Sequence, residues 1–218
     1  MGAKVALRGD LEGPEASLDR PVSVPPAPPI LLASTSPQRR VILAQLGIPF
    51  EIVPPRYEEH DKPGISPVDM VEVHARGKAR SLAGEAEERP VLGVDTAVVA
   101  GDRMLGKPSG PEEAVEMLDA LAGRTHEVVS GLCLVTPGWE LVAHAVTRVS
   151  FRGLTPCELA AYIETGEWEG RAGAYAIQGV GASLVERIEG DYLNVVGLPA
   201  ALLVGILAER FPGVYGFG

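Results

Sequence analysis

Residues 30–40 read Ile-Leu-Leu-Ala-Ser-Thr-Ser-Pro-Gln-Arg-Arg, and this stretch sets the organisation of the whole chain. The apolar residues 30–33 predict a buried strand, and the residues after them predict a tight turn followed by a helix. Ser36 is a good N-cap residue, and Pro37 suits the first helical position. The free amides of this helix start, the hydroxyls of the turn and the Arg39 guanidinium are therefore expected to converge on one point. Such a point suits an oxyanion, above all a phosphate.

Composition restricts the classes of protein to which the chain can belong. The 218 residues are 46% hydrophobic and 22% charged, which is enough for one good core or for two lobes. The formal net charge of -10 disfavours nucleic acid or an acidic membrane surface as the main partner. The two cysteines lack CxxC spacing and so indicate neither a disulfide framework nor a structural zinc site. With no apolar run near the roughly 20 residues that cross a bilayer, and no export signal, a cytoplasmic protein is expected.

The first 29 residues differ from the rest because Gly, Pro and charged residues dominate them. They predict a disordered, Pro-rich extension, and the folded domain is expected over residues 30–218. In that domain helices and strands mostly alternate, which predicts an α/β fold. Helices are expected at residues 37–46, from 67 to about 84, at 111–122, from 156 to about 165 and at 198–210; strands are expected at 30–33, 50–53, 91–94, 127–135, 141–151 and 182–188, with a small hairpin over 97–105.

Asp95 follows the apolar run of residues 91–94 directly. A carboxylate at the end of a buried strand is partly desolvated, which makes it a better proton acceptor. It can take a proton from water, or hold a metal ion that activates the water. Asp95 is therefore the best candidate for the catalytic acid or base, although an aspartate in such a place often only caps a turn.

Two further segments carry candidate ligand contacts. Residues 101–108 nearly match the phosphate-binding pattern G-x-x-x-x-G-K-[ST], but Pro108 has neither a hydroxyl for magnesium nor an amide hydrogen. Lys107 remains a candidate because its ammonium is a compact charge suited to a phosphate oxygen; the alternative is a solvated surface lysine. In the glycine-rich loop 172–181, Gln178 has a donor and an acceptor that can read the edge of a nucleobase; the alternative is a plain glycine loop.

Taken together, these segments resemble the Maf (septum-formation protein) family of nucleoside triphosphate pyrophosphatases, from Ile30 to about Leu207. Eight motifs match the family in order and spacing, which is hard to obtain by chance. They are Ser-x-Ser-Pro-x-Arg at 34–39, the acidic pair 58–59, the basic helix segment 74–80, the strand segment 91–96, and residues 105–108, 123–127, 172–179 and 196–199.

The resemblance implies an elongated α/β fold with a bent mixed sheet, flanking helices and a cleft between two lobes, as in Maf and ITPase-like proteins, and often a homodimer. It implies hydrolysis of the α–β phosphoanhydride bond of a nucleoside triphosphate to the monophosphate and pyrophosphate, with Mg²⁺ or Mn²⁺ as the cofactor. Catalysis of this kind depends mostly on positioning and charge neutralisation. The residues that the family motifs single out are Asp95, Glu59 and Lys107 for catalysis; Ser34, Ser36, Gln38, Arg39, Lys78, Thr96 and Gln178 for the substrate; and Glu59 and Asp95 for the metal.

The resemblance also bears on the choice of base. Thr96 and Gln178 match the branch of the family that acts on dTTP and UTP, whereas Gln38 stands where that branch has its first Arg. We therefore expect dTTP and UTP as substrates, with tolerance of CTP or modified pyrimidine nucleotides. The implied role is removal of nucleotides that should not enter nucleic acid, with a link to arrest of septum formation.

A different class of function stays open on the sequence alone. The same cleft would serve a nucleotide-binding regulator of cell division with little or no turnover. Glu59 and Asp95 favour the hydrolase, because a pure binding site gains nothing from two carboxylates beside phosphates. His126 is isolated and forms no metal-ligand spacing, so no metal role is expected for it, and His74 is expected to be solvated rather than a phosphate contact.

Overall fold

The computed structural model describes residues 26–60 and 64–218. The disorder predicted for the N-terminal extension therefore falls mostly outside the described residues. Residues 26–29 have no regular structure, and the Tyr215 hydroxyl donates a hydrogen bond to the Pro28 carbonyl oxygen at 2.9 Å. Within the described ranges, no helix has both the length and the apolar character that a membrane span requires.

Seven strands and six α-helices make up the regular structure of the described residues. The strands are β1 (Ile30–Ala33), β2 (Phe50–Val53), β3 (Val91–Ala100), β4 (Arg103–Leu105), β5 (Thr125–Val135), β6 (Glu140–Phe151) and β7 (Val185–Glu189). The helices are α1 (Pro37–Gln45), α2 (Pro67–Arg80), α3 (Pro111–Leu121), α4 (Pro156–Glu164), α5 (Tyr192–Val196) and α6 (Ala200–Arg210).

The strands form one mixed sheet in the order β2-β1-β3-β5-β6-β7, with β4 paired to β3. The pairs β1–β2 and β1–β3 are parallel, and the remaining pairs are antiparallel. Helices flank this sheet, which confirms the predicted α/β fold with a mixed sheet.

The edge of β3 that faces β1 contains a gap. Residues 91–93 pair with β1 and residues 98–100 pair with β4, so Asp95 and Thr96 lie between the two partners. On its other edge, β3 pairs with β5 from Val91 to Val99 without a break. The prediction that Asp95 ends a strand is therefore wrong: Asp95 lies in the middle of a ten-residue strand, beside the point where the parallel pairing ends.

Two hydrophobic cores lie on one face of β3 and β5. One contains Leu92 and Val94 together with α1 and α6, and the other contains Val98 together with α3 and α4. Between them on the paired strands, the hydroxyls of Thr96 and Ser130 form a 2.9 Å hydrogen bond. Each lobe thus has its own core, and the hydrogen-bonded hydroxyls of Thr96 and Ser130 lie between the two cores.

Helix α2 covers the opposite face of β3 and β5 at very close range. Its buried face is formed by Val71, Ala75 and Ala79. A Cβ atom at Gly93 would overlap the Ala75 carbonyl oxygen, and one at Gly131, which is paired with Asp95, would overlap the Val71 carbonyl oxygen. These two glycines let the helix backbone approach the sheet, which brings the side chains of α2 up to Asp95.

Candidate active site

A cleft of about 820 Å³ opens over the gap in β3. Its volume is within the range of small-molecule sites. Every residue that the sequence singled out lines this one cleft: Ser34, Ser36, Gln38, Arg39, Glu59, Lys78, Asp95, Thr96, Lys107 and Gln178. The structure therefore brings together side chains that are up to 144 residues apart in the sequence, from Ser34 to Gln178.

The turn between β1 and α1 holds Arg39 in the wall of the cleft. Ser36 caps α1, accepting a hydrogen bond from the Arg39 amide at 3.5 Å. The Arg39 guanidinium donates to Ser34 Oγ at 3.1 Å, to Thr96 Oγ1 at 3.2 Å and to the Gly197 carbonyl oxygen at 2.9 Å. Burial lowers the pKa of Arg39 below its usual value, although the charges of Asp95 and Glu59 oppose this effect. Because these three acceptors are neutral, the guanidinium charge stays available to an anion in the cleft.

Lys78 joins the two predicted catalytic carboxylates. Its Nζ lies 2.6 Å from Glu59 Oε1 and 2.6 Å from Asp95 Oδ1, and its side chain is only 10% exposed. Burial of Glu59 opposes its ionisation, but the hydrogen bond from Lys78 and the charges of Lys78, His74 and Lys107 lower the pKa of Glu59 below its usual value. Glu59 is therefore ionised at neutral pH and faces a cluster of positive charge.

The two carboxylates fit a divalent cation. Oxygens from Glu59 and Asp95 both contact Lys78 Nζ, so the two carboxylates face the same point in the cleft. Carboxylate oxygens are the ligands that Mg²⁺ takes from proteins, usually one or two of them, completed by substrate phosphates and water. No group of three or more His, Cys, Asp or Glu side chains able to hold a metal occurs in the part of the chain that the structure describes. Two carboxylates match the protein share of a site in which Mg²⁺ takes its other ligands from a phosphorylated substrate and water.

Lys107 lies in the loop after β4 and lines the cleft. It is exposed, and its charge reaches Glu59. The Gly106 carbonyl oxygen accepts a 3.0 Å hydrogen bond from the Gly173 amide, which ties this loop to the glycine-rich loop. Lys107 is therefore solvated, as the alternative interpretation had it, and yet it is directed into the cleft.

The glutamines predicted to contact the base lie in different settings. Gln38 Oε1 accepts a hydrogen bond from Ser36 Oγ at 3.1 Å, so Gln38 is tied to the cap of α1. Gln178 is exposed at the edge of the loop over residues 172–181. Both line the cleft, and their roles toward a base stay predictions.

Sequence reasoning placed His74 wrongly and missed other cleft residues. His74 is only 2% exposed, and its Nδ1 lies 3.0 Å from the Tyr57 hydroxyl, so it is not the solvated residue that was expected. The helical spacing of His74 between Val71 and Lys78, both on the buried face of α2, was a signal that could have found it. The cleft is also lined by Glu167, Arg171 and Tyr175.

His126 lies behind the glycine-rich loop. It is 2% exposed, its Nε2 lies 2.9 Å from the Tyr175 hydroxyl, and burial lowers its pKa to about 4. The imidazole is therefore neutral at physiological pH. Its only described hydrogen bond is the one with Tyr175, which lies in that loop. Its expected lack of a metal role stays a prediction.

Comparison with known proteins agrees with the motif-based interpretation. The family model for "Maf-like protein" matches residues 29–210. A dTTP/UTP pyrophosphatase of Gloeobacter violaceus is 47% identical over 180 residues, which are 83% of this chain and 95% of that protein. A dTTP/UTP pyrophosphatase of Moorella thermoacetica is 50% identical over 189 residues, which are 86% of this chain and 97% of that protein. Among solved structures, the Staphylococcus aureus Ham1 protein aligns with 57% of this chain and 72% of that chain at a TM-score of 0.41 and 14% identity.

Proposed function

The chain belongs to the Maf family, and from that premise we propose that it hydrolyses nucleoside triphosphates to the monophosphate and pyrophosphate, with dTTP and UTP as its preferred substrates. One observation carries the chemistry: Arg39, Lys78 and Lys107 line the same cleft as Glu59 and Asp95. The names of the relatives support the choice of substrate.

The positive side chains of the cleft bind the triphosphate tail. Arg39 in α1 and Lys107 in the loop after β4 line the same cleft, so cations from two separate elements can contact one polyanion. The N-terminus of α1 adds free amides and a favourable dipole. Such contacts neutralise the charge that spreads over the phosphate oxygens in the transition state.

Asp95 is the proton acceptor in this scheme. A water oxygen forms a bond to the α-phosphorus, the bond from that phosphorus to the bridging oxygen breaks, and pyrophosphate leaves with that oxygen. The proton of the water passes to Asp95 Oδ2. Lys78 donates to Oδ1 of the same carboxylate, which fixes its orientation within the gap of β3.

Glu59 and Asp95 would hold the divalent cation. When bound, Mg²⁺ or Mn²⁺ would offset the negative charge of the phosphate oxygens. Lys78, which contacts both carboxylates, is the residue whose position must adjust to an additional cation. Its long flexible side chain can then reach a phosphate oxygen.

Base selection belongs to Thr96, Gln178 and Gln38. Thr96 Oγ1 accepts from Arg39, which links the selectivity position to the phosphate-binding cation. Where the branch acting on dTTP and UTP has a charged Arg, this chain has the neutral amide of Gln38. This difference supports a preference for pyrimidines that extends to CTP or modified pyrimidine nucleotides.

The proposal extends to the setting of the enzyme. It is a cytoplasmic homodimer that acts on free nucleotides rather than on nucleic acid or at a membrane, with an N-terminal extension that is not part of the catalytic domain. The net charge of -10 and the two free cysteines, Cys133 and Cys157, support this setting. Its role is to remove nucleotides that should not enter nucleic acid, with a link to septum formation.

Product analysis tests the proposal. The protein is incubated with MgCl₂ and each common ribonucleoside and deoxyribonucleoside triphosphate, and the products are separated by ion-exchange chromatography. We expect the monophosphate and pyrophosphate, formed fastest from dTTP and UTP. A diphosphate with free phosphate would contradict the reaction, a purine preference would contradict the substrate, and binding without turnover would favour the nucleotide-binding regulator.

A further inference from the structure

Glu167, which follows α4 and lies outside the family motifs, binds the glycine-rich loop. Its carboxylate accepts two backbone hydrogen bonds from the glycine-rich loop: Oε1 from the Val180 amide at 2.9 Å and Oε2 from the Gly181 amide at 2.9 Å. Hydrogen bonds to an ionised carboxylate are about twice as strong as neutral ones. The Glu167 side chain thus binds two successive amides of the loop that contains Gln178.

The loop backbone is shaped around this carboxylate. Gly179 has a φ of +73°, and a Cβ atom there would overlap Glu167 Oε1. A Cβ atom at Gly181 would overlap the Ala176 carbonyl oxygen, so the loop folds closely back on itself. Position 179 thus requires both a positive φ and room for the Glu167 carboxylate, and glycine meets both requirements. The loop and Glu167 therefore pack directly against each other.

A second tether holds the loop on the other side of Gln178. The Ala176 amide donates a 3.0 Å hydrogen bond to the hydroxyl of Tyr162, which is 1% exposed. Tyr162 lies in α4, and Glu167 lies three residues after the end of that helix, so the two tethers come from α4 and the segment directly after it. Gln178 therefore lies between two fixed backbone points, at residues 176 and 180.

The support of Glu167 is itself ordered. The Glu167 amide donates to Thr165 Oγ1 at 3.2 Å, and the neighbouring Trp168 indole donates to the Ile163 carbonyl oxygen at 3.0 Å. These contacts anchor the segment after α4 to the helix. The backbone that carries the carboxylate is thus anchored to the end of α4.

We propose that Glu167 is a positioning residue for base selection: its carboxylate fixes the backbone of residues 180–181 and so determines where Gln178 presents its amide to the nucleobase. This inference rests on the proposed function of the cleft. Glu167 acts through Gln178 and not on the phosphates, because its two oxygens are directed at the loop amides. The base end and the phosphate end of the cleft are therefore separable by substitution.

The test compares Glu167→Gln with the wild type in the full-length chain. A glutamine retains the shape but places an NH₂ group against one loop amide and removes the charge. Losing a charge-assisted hydrogen bond pair of this kind is expected to lower the kcat/KM ratio of dTTP to dGTP about tenfold, mainly through the KM for dTTP. Inhibition by inorganic pyrophosphate, which reports the phosphate end alone, should be unchanged. The matched control is Glu164→Gln, an exposed carboxylate of the same helix end.

A double-mutant cycle separates positioning from general stability. If Glu167 acts through Gln178, then Glu167→Gln adds little to the loss of selectivity that Gln178→Ala already causes. Additive losses, an unchanged dTTP to dGTP ratio, or an equal loss of pyrophosphate inhibition would each overturn the inference. Glu167→Asp, which keeps the charge but shortens the reach, gives the same comparison if the glutamine variant does not fold.

The outcome for the wild type keeps this inference distinct from the proposed function. If the wild type hydrolyses dTTP and Glu167→Gln keeps its selectivity, only the inference fails. If the wild type hydrolyses no triphosphate, the proposed function fails, and the same ratio is measured as the Kd of dTTP against dGTP. Selective binding by the wild type that the variant loses would then support Glu167, and selectivity that the variant retains would overturn its role.

Discussion

Lys78 and Asp95 are held in the cleft by packing, whereas Gln178 is held by hydrogen bonds to its loop. On the first wall, α2 lies against the glycines of β3 and β5, so the two charged side chains project from backbones in direct contact. On the second wall, the loop of residues 172–181 is tied to Tyr162 and Glu167. We call these the α2 wall and the loop wall.

The difference between the walls matches the different precision that their tasks require. Proton transfer and phosphate binding tolerate only displacements well under 1 Å. Helices and strands in close contact hold their side chains with this precision. The contacts to a base can change while the catalytic residues stay in place, so a loop held by a few hydrogen bonds is suited to them. Substitutions in the α2 wall should therefore affect turnover of every nucleotide, and substitutions in the loop wall should affect the choice among them.

Asp95→Asn should produce the largest effect and tests the chemical role of the α2 wall. The amide retains the shape but cannot accept the proton of the attacking water, so kcat is expected to fall about 10²–10⁴-fold for all nucleotides alike. Steady-state kinetics with dTTP and UTP measure this. Asp119→Asn, on the exposed side of α3, is the control. A loss that appears only in KM would remove Asp95 from the proton-transfer step.

Gly131→Ala tests whether close packing holds the α2 wall. The added methyl group meets the Val71 carbonyl oxygen, and the overpacking should lower the free energy of unfolding by about 1–3 kcal/mol. Turnover should fall as well, because the helix that carries Lys78 must shift. Urea denaturation and kinetics at saturating dTTP measure the two effects. Gly205→Ala, in a helical position with open space around it, should be neutral or stabilising; equal behaviour of the two variants would refute the packing argument.

Tyr162→Phe tests the second tether of the loop wall. The phenyl ring fills the same buried space but leaves the Ala176 amide without its acceptor, which should cost about 1 kcal/mol of stability. The preference for dTTP over dGTP should fall by less than in Glu167→Gln, because one neutral hydrogen bond is lost instead of two charged ones. Tyr192→Phe, at an exposed position of α5, is the control. An unchanged preference in Tyr162→Phe would leave Glu167 as the sole tether that matters.

Glu158→Gln should have the smallest effect and tests α4, the helix that contains Tyr162 and precedes Glu167. Hydrogen bonds from the Thr155 amide and hydroxyl, and then from Arg152, lower the pKa of Glu158 from its usual 4.5 to about 2. Because the pKa is lower in the folded state, the ionised carboxylate stabilises the protein above pH 4.5, and this contribution is lost as the pH falls toward 2. The variant should therefore have a lower Tm than the wild type at pH 7, and the difference should shrink on acidification. A difference that is constant with pH would contradict this role of the charge.

Local signals in the sequence predicted the elements of the α2 wall well. Caps and helix-starting prolines are read within a few residues, so the starts of α1 and α2 were predicted at Pro37 and Pro67 as the structure has them. The family motifs then assembled the ten site residues that line the cleft. The error at Asp95 has a physical reason: whether a strand continues depends on its neighbours, and β5 keeps β3 extended after β1 has ended.

The loop wall was predicted less well because its contacts are not local. The strand expected at residues 182–188 begins only at Val185, since residues 179–184 form a 3-10 turn around the Glu167 carboxylate. Glu167 itself lies 13 and 14 residues from the amides that it holds. No periodicity of side chains encodes a carboxylate that binds backbone at this separation, so only the three-dimensional structure reveals it.

The central claim is that water attacks the α-phosphorus of the nucleotide in this cleft. Hydrolysis of dTTP in H₂¹⁸O, followed by mass spectrometry of both products, tests it most directly. The account predicts one ¹⁸O atom in dTMP and none in the pyrophosphate. Label in the pyrophosphate, or release of labelled inorganic phosphate, would contradict it.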